Sequence, residues 1–253
     1  MIHPLLRHFA FAVALVSGPG IASAEEPADM PWSYSAGPAD PTHWATDHPE
    51  NEACGAGMDQ SPVDIQLAIR ADLPALDFQY TDMPASMTNS DNALVINVPP
   101  GQTLMVGERA FALQSISLHS PSTHAVGGKR SAMSALLTHT SAGGSLLVVE
   151  VFMQAGTVNT ALAPLLMHLP RPGEQISVRN SSIRPGGLLP PDKGYFSLDG
   201  SLTTPPCSEG VDWIIMKTPI TVGADQVLAF RRQFKDNVRP LQPLNGRVVR
   251  QPL

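Results

Sequence analysis

Between Phe111 and His139 lie three of the eight histidines of this 253-residue chain: His119, His124 and His139. Imidazole is the commonest protein ligand for metals and titrates near neutral pH, so their spacing comes first. Ile116 to His119 reads as a strand, where alternate side chains point the same way, so Ser117 and His119 share one face. A His-x-His pair there would open a zinc site, whereas Ser-x-His supplies one imidazole. His124 follows a break at Ser120-Pro121-Ser122, and His139 ends a strand that runs back after Gly127-Gly128. The stretch reads as part of a candidate metal site.

The elements that must hold this stretch are strands. An irregular arm over residues 25–57 packs through Trp32, Tyr34 and Trp44; Ser61 to Ile65 is short and extended, and Ala93 to Val98 is an apolar run stopped by Pro99-Pro100-Gly101. Thr103 to Val106 and Ala110 to Leu118 flank Gly107-Glu108-Arg109 as a hairpin. Ala132 to Thr138 returns as a strand, Ser145 to Met153 is a buried one, and Trp213 to Ile220 is another. Residues 170–191 read mostly as loop. A helical turn is expected near Ala161 to Leu166, and Ala224 to Phe234 is the clearest helix, with Val227, Leu228, Phe230 and Phe234 on its apolar face. On the buried strand Leu146, Val148, Glu150 and Phe152 share a face. Because acids are seldom buried unpaired, Glu150 is expected at an edge or strand end where it reaches solvent.

Composition narrows the function. Arg7, the apolar run Phe9 to Val16 and Ala22-Ser23-Ala24 read as a secretory signal over residues 1–24, leaving one domain over residues 25–253. The apolar run is far short of the roughly 20 residues a membrane span needs, so the mature chain has no transmembrane segment. The chain carries a formal charge of −6, which becomes −7 once Arg7 is removed with the signal. Such an acidic protein without clustered Lys and Arg is no nucleic-acid binder. Export places it in the periplasm or outside the cell. The only cysteines, Cys54 and Cys207, read most naturally as a disulfide, with buried thiols or a two-thiolate metal site as alternatives. No G-x-S-x-G occurs to support a serine hydrolase.

Gln60-Ser61-Pro62-Val63-Asp64-Ile65, Ser120-Pro121-Ser122-Thr123-His124 with Gly128-Lys129-Arg130, and Gly200 to Val211 (GSLTTPPCSEGV) together resemble the alpha-class carbonic anhydrases. The resemblance extends from about Trp32 to Arg250 and includes Trp213, Gln226 and Arg239 to Asn245. It implies a mainly β (α+β) single-domain fold, a large twisted, mostly antiparallel sheet with short peripheral helices. It also implies that Cys54 and Cys207 are joined.

The family mechanism, as the resemblance implies it, needs three histidines on zinc and a bound water whose pKa falls to about 7. Aligned on Ser120 to His124, the three ligand positions hold Ser117, His119 and Leu136. His139 lies three residues past the third position and, on a strand, faces the other way. A one-residue slip would put Ile116 and Leu118 at the ligand positions instead. The ligand-orienting Gln and Glu of the family are Ser115 and Ser134. Thr203 matches the Thr that contacts zinc hydroxide, but its Glu partner is Thr123, a nearby Tyr is Leu198, and the proton-shuttle His is Asn92. Val148, Leu202, Val211 and Trp213 match the apolar carbon dioxide pocket, with Thr138 in place of an apolar residue.

The expectation is an exported carbonic-anhydrase-related protein that has lost catalysis, carries no cofactor, and binds a small ligand or protein partner through the retained fold. A structural or assembly role is a further possibility. The alternative is a zinc-dependent lyase that hydrates carbon dioxide through a rebuilt set, His119, His124 and Glu150.

Overall fold

Alternation of apolar and polar residues along short segments places 13 of the 15 strands among the described residues in one sheet. The computed structural model describes residues 32–253, so the expected signal segment lies outside the described residues. The strands in chain order are β1 (Asp64–Ile65), β2 (Ile69–Ala71), β3 (Leu76–Gln79), β4 (Met83–Asn89), β5 (Leu94–Asn97), β6 (Thr103–Val106), β7 (Arg109–His119), β8 (Ala125–Val126), β9 (Met133–Ser141), β10 (Leu146–Gly156), β11 (Gln175–Ile183), β12 (Tyr195–Ser201), β13 (Glu209–Met216), β14 (Ile220–Gly223) and β15 (Arg250–Pro252). The helices are α1 (Trp44–Asp47), α2 (Ala53–Ala56), α3 (Ala163–Leu166) and α4 (Ala224–Phe234). The main sheet of 13 strands runs β11-β4-β5-β7-β9-β10-β13-β12-β15-β2, with β6 beside β7 and β14 beside β10. Most pairings are antiparallel; β10 with β13 and with β14, and β15 with β2, are parallel.

The period-2 pattern sends alternate residues of the central strands into two cores. One face packs Ile116, Leu118, Leu137, Val149 and Val151 beneath Phe230 and Phe234 of α4. The other packs Val63, Leu136, Val148, Phe152, Leu198 and Trp213. Helix α4 begins where Gln226 turns back: its Oε1 accepts the Gly223 N–H at 3.0 Å and its Nε2 donates to the Asn159 carbonyl.

Three expectations need correction. The segment expected to be loop over 170–191 contains β11, which pairs with β4 at the edge of the sheet. Its inward residues Ile176, Val178 and Ile183 are separated by Ser, Arg and Asn that face water, and this polar edge hid the strand. Glu150 does not reach solvent. It lies on β10, which is flanked by β9 and β13, and its side chain is fully buried. The strand from Trp213 starts earlier, at Glu209, and stops at Met216.

Cys54 and Cys207 form a disulfide with Cα atoms 5.0 Å apart, closing a separation of 153 residues. Trp32, Tyr34 and Trp44 meet edge to face beside it, with centroids 5.1 to 5.8 Å apart. The buried Arg239 guanidinium donates to Gln60 Oε1 and to the carbonyls of Ser61 and Cys54, tying the same region to the C-terminal segment. A cross-link over so long a loop restricts the unfolded chain, so a Cys54→Ser/Cys207→Ser variant is expected to lose about 2–5 kcal/mol, read as a lower denaturant midpoint.

Candidate functional site

Register places the site. Directly across β5, β7, β9, β10 and β13, one row reads Val95, Ser117, Leu136, Glu150 and Ile215. The next row holds His119, Ser134 and Phe152, and the row on the other side holds Ser115, Thr138, Val148, Trp213 and Leu198. All three project from the same face. A cavity of about 220 Å³ lies over them, lined by Ser115, Ser117, His119, Leu136, Thr138 and Val148 from the sheet. Leu202, Thr203, Thr204 and Trp213 close one side, and Trp32, Tyr34, Ser90, Ala93 and Val95 the other.

His119 is 4 % exposed and held at both nitrogens. Its Nδ1 lies 2.8 Å from the Asn237 carbonyl oxygen, and Nε2 lies 3.0 Å from Ser117 Oγ. A carbonyl only accepts, so Nδ1 carries the proton and Nε2 takes the hydrogen bond from the Ser117 hydroxyl. Burial lowers the His119 pKa, against the opposing pull of the Asn237 carbonyl and of Glu150, so the ring is neutral at pH 7. The Ser117 hydroxyl therefore occupies the lone pair of this imidazole. The Tyr34 ring stands edge-on to His119 with centroids 6.4 Å apart.

Beside the cavity, outside its lining, sits a second constellation. Glu150 Oε2 lies 2.6 Å from His124 Nδ1, and both side chains have no solvent exposure. Glu150 Oε1 also accepts the backbone N–H of Thr123 at 2.9 Å, and both carboxylate oxygens stand 3.2 Å from the His124 N–H. Burial alone would raise the Glu150 pKa, but the His124 imidazole, the Ser134 hydroxyl and the backbone N–H bring it below the usual carboxylate range. The ring of His124 meets Trp213 edge to face at 4.5 Å, and its Nε2 has no hydrogen-bond partner. Thr123 Oγ1 is likewise buried without one.

Placed on the structure, the expected site residues separate into groups. Ser117, His119 and Leu136 face one cavity, with Leu136 directly opposite Ser117. Of the set His119, His124 and Glu150, the last two are bonded to each other and only His119 faces the cavity. Among the described residues no three His, Cys, Asp or Glu side chains are grouped to hold a metal ion. Zinc takes imidazole, thiolate or carboxylate donors, and the cavity offers one imidazole, already engaged, against a leucine side chain, so the residues present do not fit the ion. Val148, Leu202 and Trp213 line the cavity, whereas Val211 is buried in the core beneath it. Thr203 lines it too. Asn92 lies outside the lining; its Nδ2 donates to the Trp32 carbonyl and its own carbonyl accepts from Asn237 Nδ2. His139 faces the other core and meets Tyr80 Oη at 2.6 Å.

Sequence reasoning missed Asn237, whose backbone oxygen fixes the His119 tautomer and whose side chain bonds Ser120, Leu118 and Asn92. Nothing local marks it, because its partners are more than 100 residues away. The aromatic arm was legible as a packed segment, but not as a wall of the cavity.

A family model described as eukaryotic-type carbonic anhydrase matches residues 39–252. A carbonic anhydrase of Klebsiella pneumoniae is 38% identical over 221 residues, spanning 86% of this chain and 89% of that protein. The Photobacterium profundum alpha-carbonic anhydrase structure superposes with a TM-score of 0.82 at 33% identity, covering 87% of this chain and 100% of the other. Dioscorin, solved in complex with ascorbate, superposes with a TM-score of 0.80 at 29% identity, covering 88% of this chain and 98% of the other.

Proposed function

This chain belongs to the eukaryotic-type, or alpha, carbonic anhydrase family, and from that premise we propose that it has given up carbon dioxide hydration and uses the family cavity to bind a small uncharged ligand. The observation that carries this reading is Leu136 standing opposite Ser117, with the Ser117 hydroxyl on His119 Nε2. Attack on carbon dioxide requires a water deprotonated near neutral pH, which in this family three imidazoles on zinc provide. A leucine and a serine cannot replace two of them.

The lining indicates the ligand. It contains no Lys, Arg, Asp or Glu, and its one imidazole is neutral. Hydroxyls of Ser115, Ser117, Thr138, Thr203 and Thr204 face Leu136, Val148 and Leu202, which suits a small molecule with hydroxyl or carbonyl groups around an apolar body. The dioscorin complex with ascorbate supports a small hydroxylated ligand on this fold; ascorbate carries a charge that the present lining has no cation to pair, which favours an uncharged counterpart here. Residues 1–24, read as a signal, and the disulfide support a periplasmic or secreted location.

A second reading, zinc-dependent hydration through His119, His124 and Glu150, draws its support from relatives that bear the name carbonic anhydrase. Metal analysis with a hydration assay separates the two. The purified protein is expected to hold zinc in fewer than about one molecule in ten and to hydrate carbon dioxide no faster than buffer. Stoichiometric zinc with measurable turnover would favour the second reading and end the first.

A further inference from the structure

A second cavity, of about 410 Å³, shares no lining residue with the first. Val126, Phe152, Phe196 and Pro219 give it an apolar floor, and Lys129, Arg130 and Lys217 bring three cations to it. No Asp or Glu is in the lining. On a chain of net charge −6, this is a reversal of local sign. Among the described residues none of the three cations has a carboxylate at ion-pair distance, whereas Arg109, Arg184, Arg231, Arg247 and Arg250 all do.

Arg130 and Lys217 are held by neutral partners, and the acid that acts on Lys217 through space, Asp192, is itself engaged by the Gly194 N–H and the Thr218 hydroxyl. Arg130 donates to the carbonyls of Ser122 and Arg239 at 2.9 and 3.0 Å, using two of the five guanidinium N–H groups. The acids acting on it from further away are Glu150, already engaged by His124, and Asp236, paired with Arg231. Lys217 donates to Gln251 Oε1, and its ammonium stands 5.0 Å from the centre of the Phe196 ring. Lys129 closes the turn through Gly127 and Gly128, with its backbone paired to Val126 and its side chain exposed.

We propose that this cleft binds a small organic anion with an aromatic body, of the aryl carboxylate class. The ring would lie on Phe152, Phe196 and Pro219, and the carboxylate would face Lys129, Arg130 and Lys217, where charge-assisted hydrogen bonds are available. A bare anion would leave the apolar floor unused, and a neutral ring would leave the cations unpaired.

Calorimetric titration of the full protein in low-salt buffer tests this with benzoate, benzamide and inorganic phosphate as probes. Benzoate is expected to bind with a Kd at or below roughly 1 mM, with benzamide and phosphate at least about tenfold weaker. A Lys129→Met/Lys217→Met double variant should weaken benzoate by more than about tenfold, while Leu136→Trp, which fills the other cavity, should leave it unchanged. Absence of saturable benzoate binding overturns the proposal, as does phosphate binding as tightly as benzoate, or benzoate affinity that survives the double substitution or is lost in Leu136→Trp. If the double variant does not fold, the ranking of the three probes on the unaltered protein still decides.

Discussion

Replacing Ser117 and Leu136 together by histidine is expected to give a protein that binds about one zinc per chain, while either substitution alone leaves metal content at background, because a stable site needs three protein ligands. The two positions are direct cross-strand partners on β7 and β9, and His119 lies two residues along β7 on the same face, so three imidazoles would converge where one stands now. The change at 117 also frees His119 Nε2 from the serine hydroxyl, and Asn237 already holds the ring in the tautomer that presents Nε2. Affinity should fall short of a complete site by about 10- to 100-fold, because Ser115 and Ser134 offer no carbonyl or carboxylate to orient the new imidazoles. Hydration should stay near the buffer rate until Thr123→Glu is added together with Glu150→Gln, so that Thr203 regains a partner without two buried carboxylates meeting. Zinc content after dialysis is the measurement, and tight binding by either single variant would show the ligand alignment to be wrong.

Loss of the Glu150 carboxylate should be among the most damaging single changes in the domain. Glu150→Gln removes the charge that faces His124 Nδ1 at 2.6 Å and weakens its hold on the Thr123 and His124 N–H groups, all without access to water. Breaking a buried pair from one side costs about 3–5 kcal/mol, and at about 2–4 °C per kcal/mol for a domain of this size the melting temperature should drop by about 10 °C. The pH dependence gives an independent check. Because the folded-state pKa lies below the ordinary glutamate value of 4.5, the stabilisation is fully present above about pH 4.5 and is lost as pH falls through the lower folded-state value. The gap between wild type and Glu150→Gln should therefore hold from neutral pH down to about 4.5 and narrow below it. A gap that persists unchanged into strong acid would mean that packing, and not charge, sets the loss.

How much of this was legible in the sequence depended on how local the signal was. The hairpin of β6 and β7, the returning strand β9 and helix α4 were readable because period and turn residues lie within a few positions of one another. Strands β3, β4, β11 and β12 were not, since short edge or polar-alternating segments carry a weak pattern. That Ser117, His119 and Leu136 would face one another was readable because strand alternation and the Ser120 to His124 landmark fix the register. The fate of Glu150 was not: its partners on the loop at Thr123 and His124 come from 26 and 27 residues away, and only the three-strand row shows that they meet.

The buried carboxylate also bears on how this chain can be altered. Where the resemblance implies acids, positions 123 and 134 of this chain hold hydroxyls, and the backbone N–H groups of Thr123 and His124 are bonded to Glu150 on β10. An acid introduced at 123 would meet a buried neighbour of the same sign, and removing that neighbour first carries the stability cost of Glu150→Gln. Installing an acid at 123 by single substitutions therefore passes through a variant less stable than the starting protein, and Glu150 sets the order in which these positions can be changed.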